Sequence, residues 1–247
     1  MNRRSAIRQC ARSFRRRIGS GIGLLAAACL GACATRTEPE IVAGNLDVLS
    51  PFFAEARMPD PRQWVVLGTP DFVPMDSEPS LRFATTSESY LVARHVDAPL
   101  KLAPFLGWVW NTEDSPPDFH PIRLAVGFRG PGESARVRHG GLTVSSRSPL
   151  PDYDRVIEIA WGRSALERGH LSIPEDRENG PKVPVYVARG GVENTAKWWR
   201  EAVDLSEIYG RLWPEDNRDA ARIVFVGFVS DAAPRTGLRI AGLKLSR

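Results

Sequence analysis

Three charged residues stand out as able to do chemistry. Glu158 lies inside the apolar run Arg155–Trp161 and is the best single candidate for an acid or base. Asp231 follows a second apolar run and is a candidate partner. Glycoside hydrolysis needs two carboxyl groups roughly 5–10 Å apart in space, with no fixed spacing in sequence. Against that stand two simpler roles: Glu158 as an outward polar residue between Ile157 and Ile159, and Asp231 as a turn former. Arg123 shares its strand face with Ala125 and Gly127. Small neighbours leave room for an anionic or polyhydroxyl ligand. The competing expectation, and the favoured one, is an ion pair between Arg123 and Asp118.

The seven tryptophans suggest another chemistry, because aromatic faces stack on the apolar faces of sugars. Trp108, Trp110 and Trp199 are the ring candidates. Alternation puts Trp108 and Trp110 on the face of Leu106, which favours a core role instead. Trp198 and Trp199 are adjacent, so they split between two faces. The candidate binding set is therefore Trp108, Trp110, Asp118, Arg123, Glu158, Trp199 and Asp231.

Other chemistries lack support. No His-Glu-x-x-His zinc helix, Gly-x-Ser-x-Gly elbow or phosphate-binding loop occurs. The four histidines, His95, His120, His139 and His170, are scattered. We therefore expect no catalytic constellation, no metal site and no cofactor.

The elements that would position these residues are mostly strands. Period-two or apolar runs occur at Trp64–Leu67, Tyr90–Val96, Leu106–Trp110, Ile122–Phe128, Arg155–Trp161, Val183–Val187, Arg222–Phe228 and Leu238–Leu245. Pro184 marks an edge or a strand start. One helix is expected after Asp204, where Asp204 and Glu207 form a capping box. Leu205, Ile208, Tyr209 and Leu212 share its apolar face, and Pro214 follows. A shorter turn is expected at Ser164–Glu167. This pattern predicts an all-β, antiparallel sandwich with one or two short helices.

The N-terminus has its own logic. Seven arginines between Arg3 and Arg17 precede an uncharged run, Ile18–Ala32, that ends in small residues. That is the order of an export signal, and the run is shorter than the roughly 20 residues of a membrane-spanning helix. Leu30-Gly31-Ala32-Cys33 resembles the lipobox of bacterial lipoproteins. The resemblance implies that Cys33 is diacylated and becomes the new N-terminus, and two acyl chains suffice for stable anchoring. An ordinary signal peptide cut near Ala32 or Ala34 is the alternative, and Ala26-Ala27-Ala28-Cys29 is a poorer lipobox. The chain then divides into a signal peptide (1–32), a lipidated terminus and tether (33–45) and one sandwich domain (46–247). No Asp follows Cys33, so by the resemblance nothing argues for inner-membrane retention, and the expected location is the cell envelope, on the outer membrane facing the periplasm.

Removing the signal changes the composition. Of 33 Lys+Arg, seven lie in residues 1–32, leaving 26 against 29 Asp+Glu, a net charge near −3. The basic balance thus belongs to export and supports no nucleic-acid partner. All three cysteines, Cys10, Cys29 and Cys33, lie at or before the proposed cut. The mature domain offers no disulfide, thiolate metal site or cysteine nucleophile.

The order of short pieces resembles a bacterial family, domain of unknown function 3047. The matching pieces are Trp108-Val109-Trp110, Asp118-Phe119, Arg123, Phe128, Trp199, Tyr209-Gly210 and Asp231. Departures are the reduction of an acidic pair to Asp118, the turn Asp231-Ala232-Ala233-Pro234-Arg235-Thr236, and Gly242-Leu243 where the family has Gly-Asp. The resemblance implies a jelly-roll-like sandwich and no known activity. The expected function is a non-catalytic envelope lipoprotein that binds a glycan or other envelope component. The alternatives are a carbohydrate-active hydrolase with paired carboxylates and a structural partner of an envelope assembly.

Overall fold

A computed structural model describes residues 45–50, 60–75, 79–114, 118–130, 138–139, 142–143, 150–172 and 183–247. All of them belong to one unit, Thr37–Arg247. The signal segment and Cys33 lie outside the described residues.

Among the described residues fifteen strands are present in chain order: β1 Asn45–Asp47, β2 Trp64–Leu67, β3 Asp71–Met75, β4 Ser80–Ala84, β5 Tyr90–Pro99, β6 Phe105–Thr112, β7 Ile122–Arg129, β8 Arg138–His139, β9 Leu142–Thr143, β10 Arg155–Gly162, β11 Leu171–Ser172, β12 Val185–Gly190, β13 Trp199–Asp204, β14 Arg222–Ser230 and β15 Gly237–Ser246. The helix α1 spans Leu205–Leu212. One sheet runs β13-β6-β15-β4-β3, with β1 also paired to β15. The other runs β11-β12-β10-β7-β14-β5-β2. The two form a jelly-roll-like sandwich. The β10–β12 pair is parallel, so the second sheet is antiparallel with one exception. Pro184 immediately precedes β12, where its missing N–H costs the ladder nothing.

The core follows from alternation. On β6, Leu106, Trp108 and Trp110 point between the sheets; on β7, Ile122, Leu124, Val126 and Phe128 do. Trp108 and Trp110 meet edge-on with ring centres 5.3 Å apart, and Trp161 of β10 adds a second such contact to Trp110 at 5.6 Å. Edge-to-face pairs of this kind are worth about 0.5–1.5 kcal/mol beyond area burial.

On β15 the inward phase changes midway. Leu238 and Ile240 are inward, and so are Leu243 and Leu245. A register shift between Ala241 and Lys244 allows this. Gly242, at φ 58°, takes the left-handed conformation that such a bulge needs. Without it, Leu243 and Leu245 would face away from the core.

The helix cap reads as expected on one side. The Asp204 carboxylate accepts from the Glu207 N–H at 2.9 Å, and Leu205, Ile208 and Tyr209 are buried. Ser164 caps a short 3₁₀ turn at Ala165–Glu167.

Candidate functional site

Three of the expected residues come together on the face of the seven-stranded sheet that points away from the main core. Glu158 stands opposite Ala125 across the β10–β7 pair, and Arg123 stands opposite Val229 across β7–β14. The Arg123 Nε donates to Glu158 Oε2 at 2.6 Å, and its Nη1 donates to Asp231 Oδ2 at 2.8 Å. The same Nη1 approaches the Pro121 carbonyl oxygen at 3.2 Å. The Asp231 turn is anchored by its own N–H to the Pro121 carbonyl, while the Ala232 N–H donates to Ser89 Oγ at 3.1 Å.

The arrangement is one buried guanidinium between two carboxylates. Burial alone would lower the Arg123 pKa, but the neighbouring charges of Glu158 and Asp231 and their hydrogen bonds hold it above its ordinary value. Both Arg123 and Glu158 are nearly sealed from water, whereas the Asp231 side chain is 44% exposed. The site therefore shows solvent one carboxylate, backed by a fixed positive charge.

Several expectations change. The Arg123 partners are Glu158 and Asp231, not Asp118, which lies exposed. Glu158 does point outward, yet it is buried. The outward face is not an open concave surface either. Val65, Leu91, Ala125, Val156, Phe225 and Val229 are all buried there, beneath Leu150, Tyr153 and Val183. The room expected over Gly127 is filled by the Phe225 ring; a Cβ at that position would stand 2.0 Å from it. Tyr153 packs edge-on against Phe225 at 5.3 Å, and burial raises its pKa to about 12.

The tryptophans divide in the same way. Trp108 and Trp110 are fully buried between the sheets and present no face to a ligand. Trp199 is half-buried, and the Arg189 guanidinium covers its ring at 3.8 Å. Its indole N–H donates to the Asn194 carbonyl at 2.8 Å. Trp198 is the more exposed of the adjacent pair.

A second charged cluster went unread in the sequence. Glu201 pairs with Trp108 across β13–β6, and Arg189 with Trp161 across β12–β10, so both side chains enter the space between the sheets. There Glu201 accepts from Arg189 through one oxygen and from Arg168 through the other, the latter at 2.9 Å. The available signal was the phase of Trp199, Glu201 and Val203, which puts a Glu at an inward position. That phase has meaning only once Trp199–Asp204 is recognised as a strand.

His120 is also buried. Its Nδ1 lies 3.1 Å from the Ile122 nitrogen, and its Nε2 3.8 Å from Asp114. Burial pulls its pKa down to about 4. Among the described residues no group of three His, Cys, Asp or Glu side chains is placed to hold a metal ion.

No family model matches the chain, and no curated protein matches it. Solved structures with a similar fold include the xyloglucanase domain of NopAA, a type three effector from Sinorhizobium fredii, in complex with cellobiose. It shares 12% identity at a TM-score of 0.42 and covers 75% of this chain and 94% of its own. The Trichoderma harzianum endoglucanase 3 from family GH12 shares 9% at 0.40, covering 74% and 82%. The family 11 carbohydrate-binding module from Clostridium thermocellum, in complex with a β-1,3-1,4-mixed-linked tetrasaccharide, shares 12% at 0.33, covering 83% and 96%. Likeness at this level carries nothing about activity.

Proposed function

We propose that this chain is a non-catalytic, lipid-anchored envelope module that binds a glycan or other envelope component at the Arg123–Glu158–Asp231 rim. Cys33 carries the lipid, and the protein faces the periplasm from the outer membrane. The proposed kinship with domain of unknown function 3047 belongs to the same reading and assigns no activity.

The observation that supports it is the guanidinium shared by both candidate carboxylates, with only Asp231 open to solvent. The guanidinium holds one oxygen of each carboxylate, and the exposed Asp231 side chain can accept hydrogen bonds from sugar hydroxyls. Glycan arrays and peptidoglycan pull-downs with the soluble 34–247 fragment test this, with capture expected from the wild type and none from Asp231→Asn. Failure of the wild-type fragment to retain any envelope glycan would overturn the glycan reading. Anchoring is tested separately: Cys33→Ser releases the protein or leaves it unprocessed, while Cys29→Ser does not.

The second reading, a carbohydrate-active hydrolase, draws on the convergence of Glu158 and Asp231 at one arginine. It requires release of reducing ends from a bound glycan and their loss in Glu158→Gln.

A further inference from the structure

The outward face of the β13-β6-β15-β4-β3 sheet carries a different set of side chains. Leu81, Phe83, Trp110, Leu238 and Ile240 point into the core, so their neighbours on β4, β6 and β15 point out. One row across the strands reads Val73, Arg82, Arg239 and Asn111. Arg82 and Arg239 thus stand directly opposite each other, a placement that like charges disfavour. The next row reads Met75, Ser80, Ala241, Val109 and Arg200. Lys244 follows beyond the bulge and lies along Gly107, its Cγ and Cε 3.9 Å from the position a Cβ there would take. Val73, Arg200, Ala202 and Lys244 are exposed, while Val109, Arg239 and Ala241 are half-buried.

Charge on this face does not balance. Glu113 takes Arg82 in a fork: Arg82 Nε donates to Oε1 at 2.7 Å and Nη2 to Oε2 at 2.9 Å. Arg235 pairs with Asp71 at 3.1 Å. The hydrogen bonds from Arg82 hold the Glu113 carboxyl below its usual range, and the nearby charges of Arg239 and Arg235 add to this. Arg239 pairs with no acid among the described residues. Its Nε is buried without a hydrogen-bond partner, so an acceptor must reach this guanidinium at its terminal nitrogens. The acids farther along the face are occupied by backbone N–H groups: Asp47 by those of Leu49 and Ser50, and Asp204 by that of Glu207.

We propose that this face binds an acidic polysaccharide, with the two terminal nitrogens of Arg239 taking a uronate carboxylate and Arg200 and Lys244 attracting the acid groups that follow along the chain. A guanidinium fits a planar carboxylate through two parallel hydrogen bonds, the pairing that Glu113 already makes with Arg82 in the same row. Arg239 and Arg200 are two strands and two residues apart, roughly 12 Å between Cα atoms. Single charges spread in this way suit a chain of carboxylates better than one multiply charged phosphate. Ala241, Gly107 and Ala202 lie among the cations and let a sugar chain come close to the sheet, and Val109 offers it an apolar contact. The site is on the other sheet from the Arg123 rim and does not depend on it.

The test is calorimetric titration of the full chain in detergent with sodium alginate oligomers, a polyuronate, and with inorganic phosphate. Alginate should bind, more weakly as salt rises from roughly 0.05 to 0.5 M. Phosphate should not displace it at equal concentration. Arg239→Gln should weaken alginate binding by about tenfold or more. Arg168→Gln removes the same charge at a distance and should stay within about twofold of the wild type. Arg239→Gln should melt no lower than the wild type, because it relieves the repulsion with Arg82. The proposal is overturned if the wild type does not bind alginate, or if phosphate displaces it at equal concentration. Equal losses in Arg239→Gln and Arg168→Gln overturn it too, since net charge alone would then explain the binding. So does a clear fall in the Tm of Arg239→Gln, which would make Arg239 a structural residue.

Discussion

Two arginine–carboxylate clusters stand in this sandwich with inverted composition. On the outward face of the seven-stranded sheet, one buried guanidinium, Arg123, serves two carboxylates. Between the sheets, one buried carboxylate, Glu201, serves two guanidiniums. Each keeps its central member dry and leaves one partner in water: Asp231 at 44% exposure in the first, Arg168 at 58% in the second. A buried ion pair by itself is weak support for either stability or function, because desolvation offsets much of the attraction. What separates the two is what each shows to solvent. The Arg123 cluster presents a hydrogen-bond acceptor on a rim of loops. The Glu201 cluster ties the β13 edge of one sheet to β12 of the other, with Arg189 laid over Trp199.

The largest effect expected is from Arg123→Met. It removes the Arg123 bond to buried Glu158, and breaking a buried pair typically costs about 3–5 kcal/mol, readable from urea unfolding. Glu201→Gln should cost less, about 2 kcal/mol, because it removes hydrogen bonds to charged groups while Arg189 keeps its place on Trp199. Equal costs would erase the distinction between the two clusters.

Acid should act on a third site, the buried His120. His120 has a folded pKa near 4 against an ordinary 6.5. The unfolded chain therefore takes up the proton first. Stability from this residue is complete above pH 6.5 and falls as pH drops toward 4, at up to about 1.4 kcal/mol per pH unit. Urea midpoints across that window measure it, and His120→Gln should flatten the slope. An unchanged slope in that variant would assign the acid response elsewhere.

The smallest stability effects belong to the two exposed partners. Asp231→Asn and Arg168→Gln should each shift unfolding by no more than about 1 kcal/mol. They sharpen the comparison through binding: Asp231→Asn should abolish glycan capture, and Arg168→Gln should leave it intact. The reverse outcome would move the binding site to the sheet edges.

Eight strands and the helix were legible from alternation and capping, because Leu106, Trp108, Trp110 and their like repeat at the period of the pleat. The strands that escaped were short or pattern-poor. Ser80–Ala84 has only Leu81 and Phe83 to show a phase. Trp199–Asp204 has a single aliphatic residue, Val203, at an inward position. Its strand conformation comes from backbone pairing with β6 along its whole length, which composition does not display.

The amino-acid order alone determined the sandwich, the Asp204 cap and the candidacy of Arg123, Glu158 and Asp231, since each depends on local spacing and residue type. Only the tertiary structure decided which acid meets the arginine. Asp118 is five residues from Arg123 and does not pair with it, while Asp231 is separated from it by 108 residues and does. Strand order, not sequence distance, sets that choice, because β7 lies between β10 and β14 and receives one carboxylate from each side. The same packing withdrew Trp108 and Trp110 into the core and filled the space over Gly127 with Phe225. Alternation assigns a residue to a face, and only the neighbouring layer determines whether that face is open.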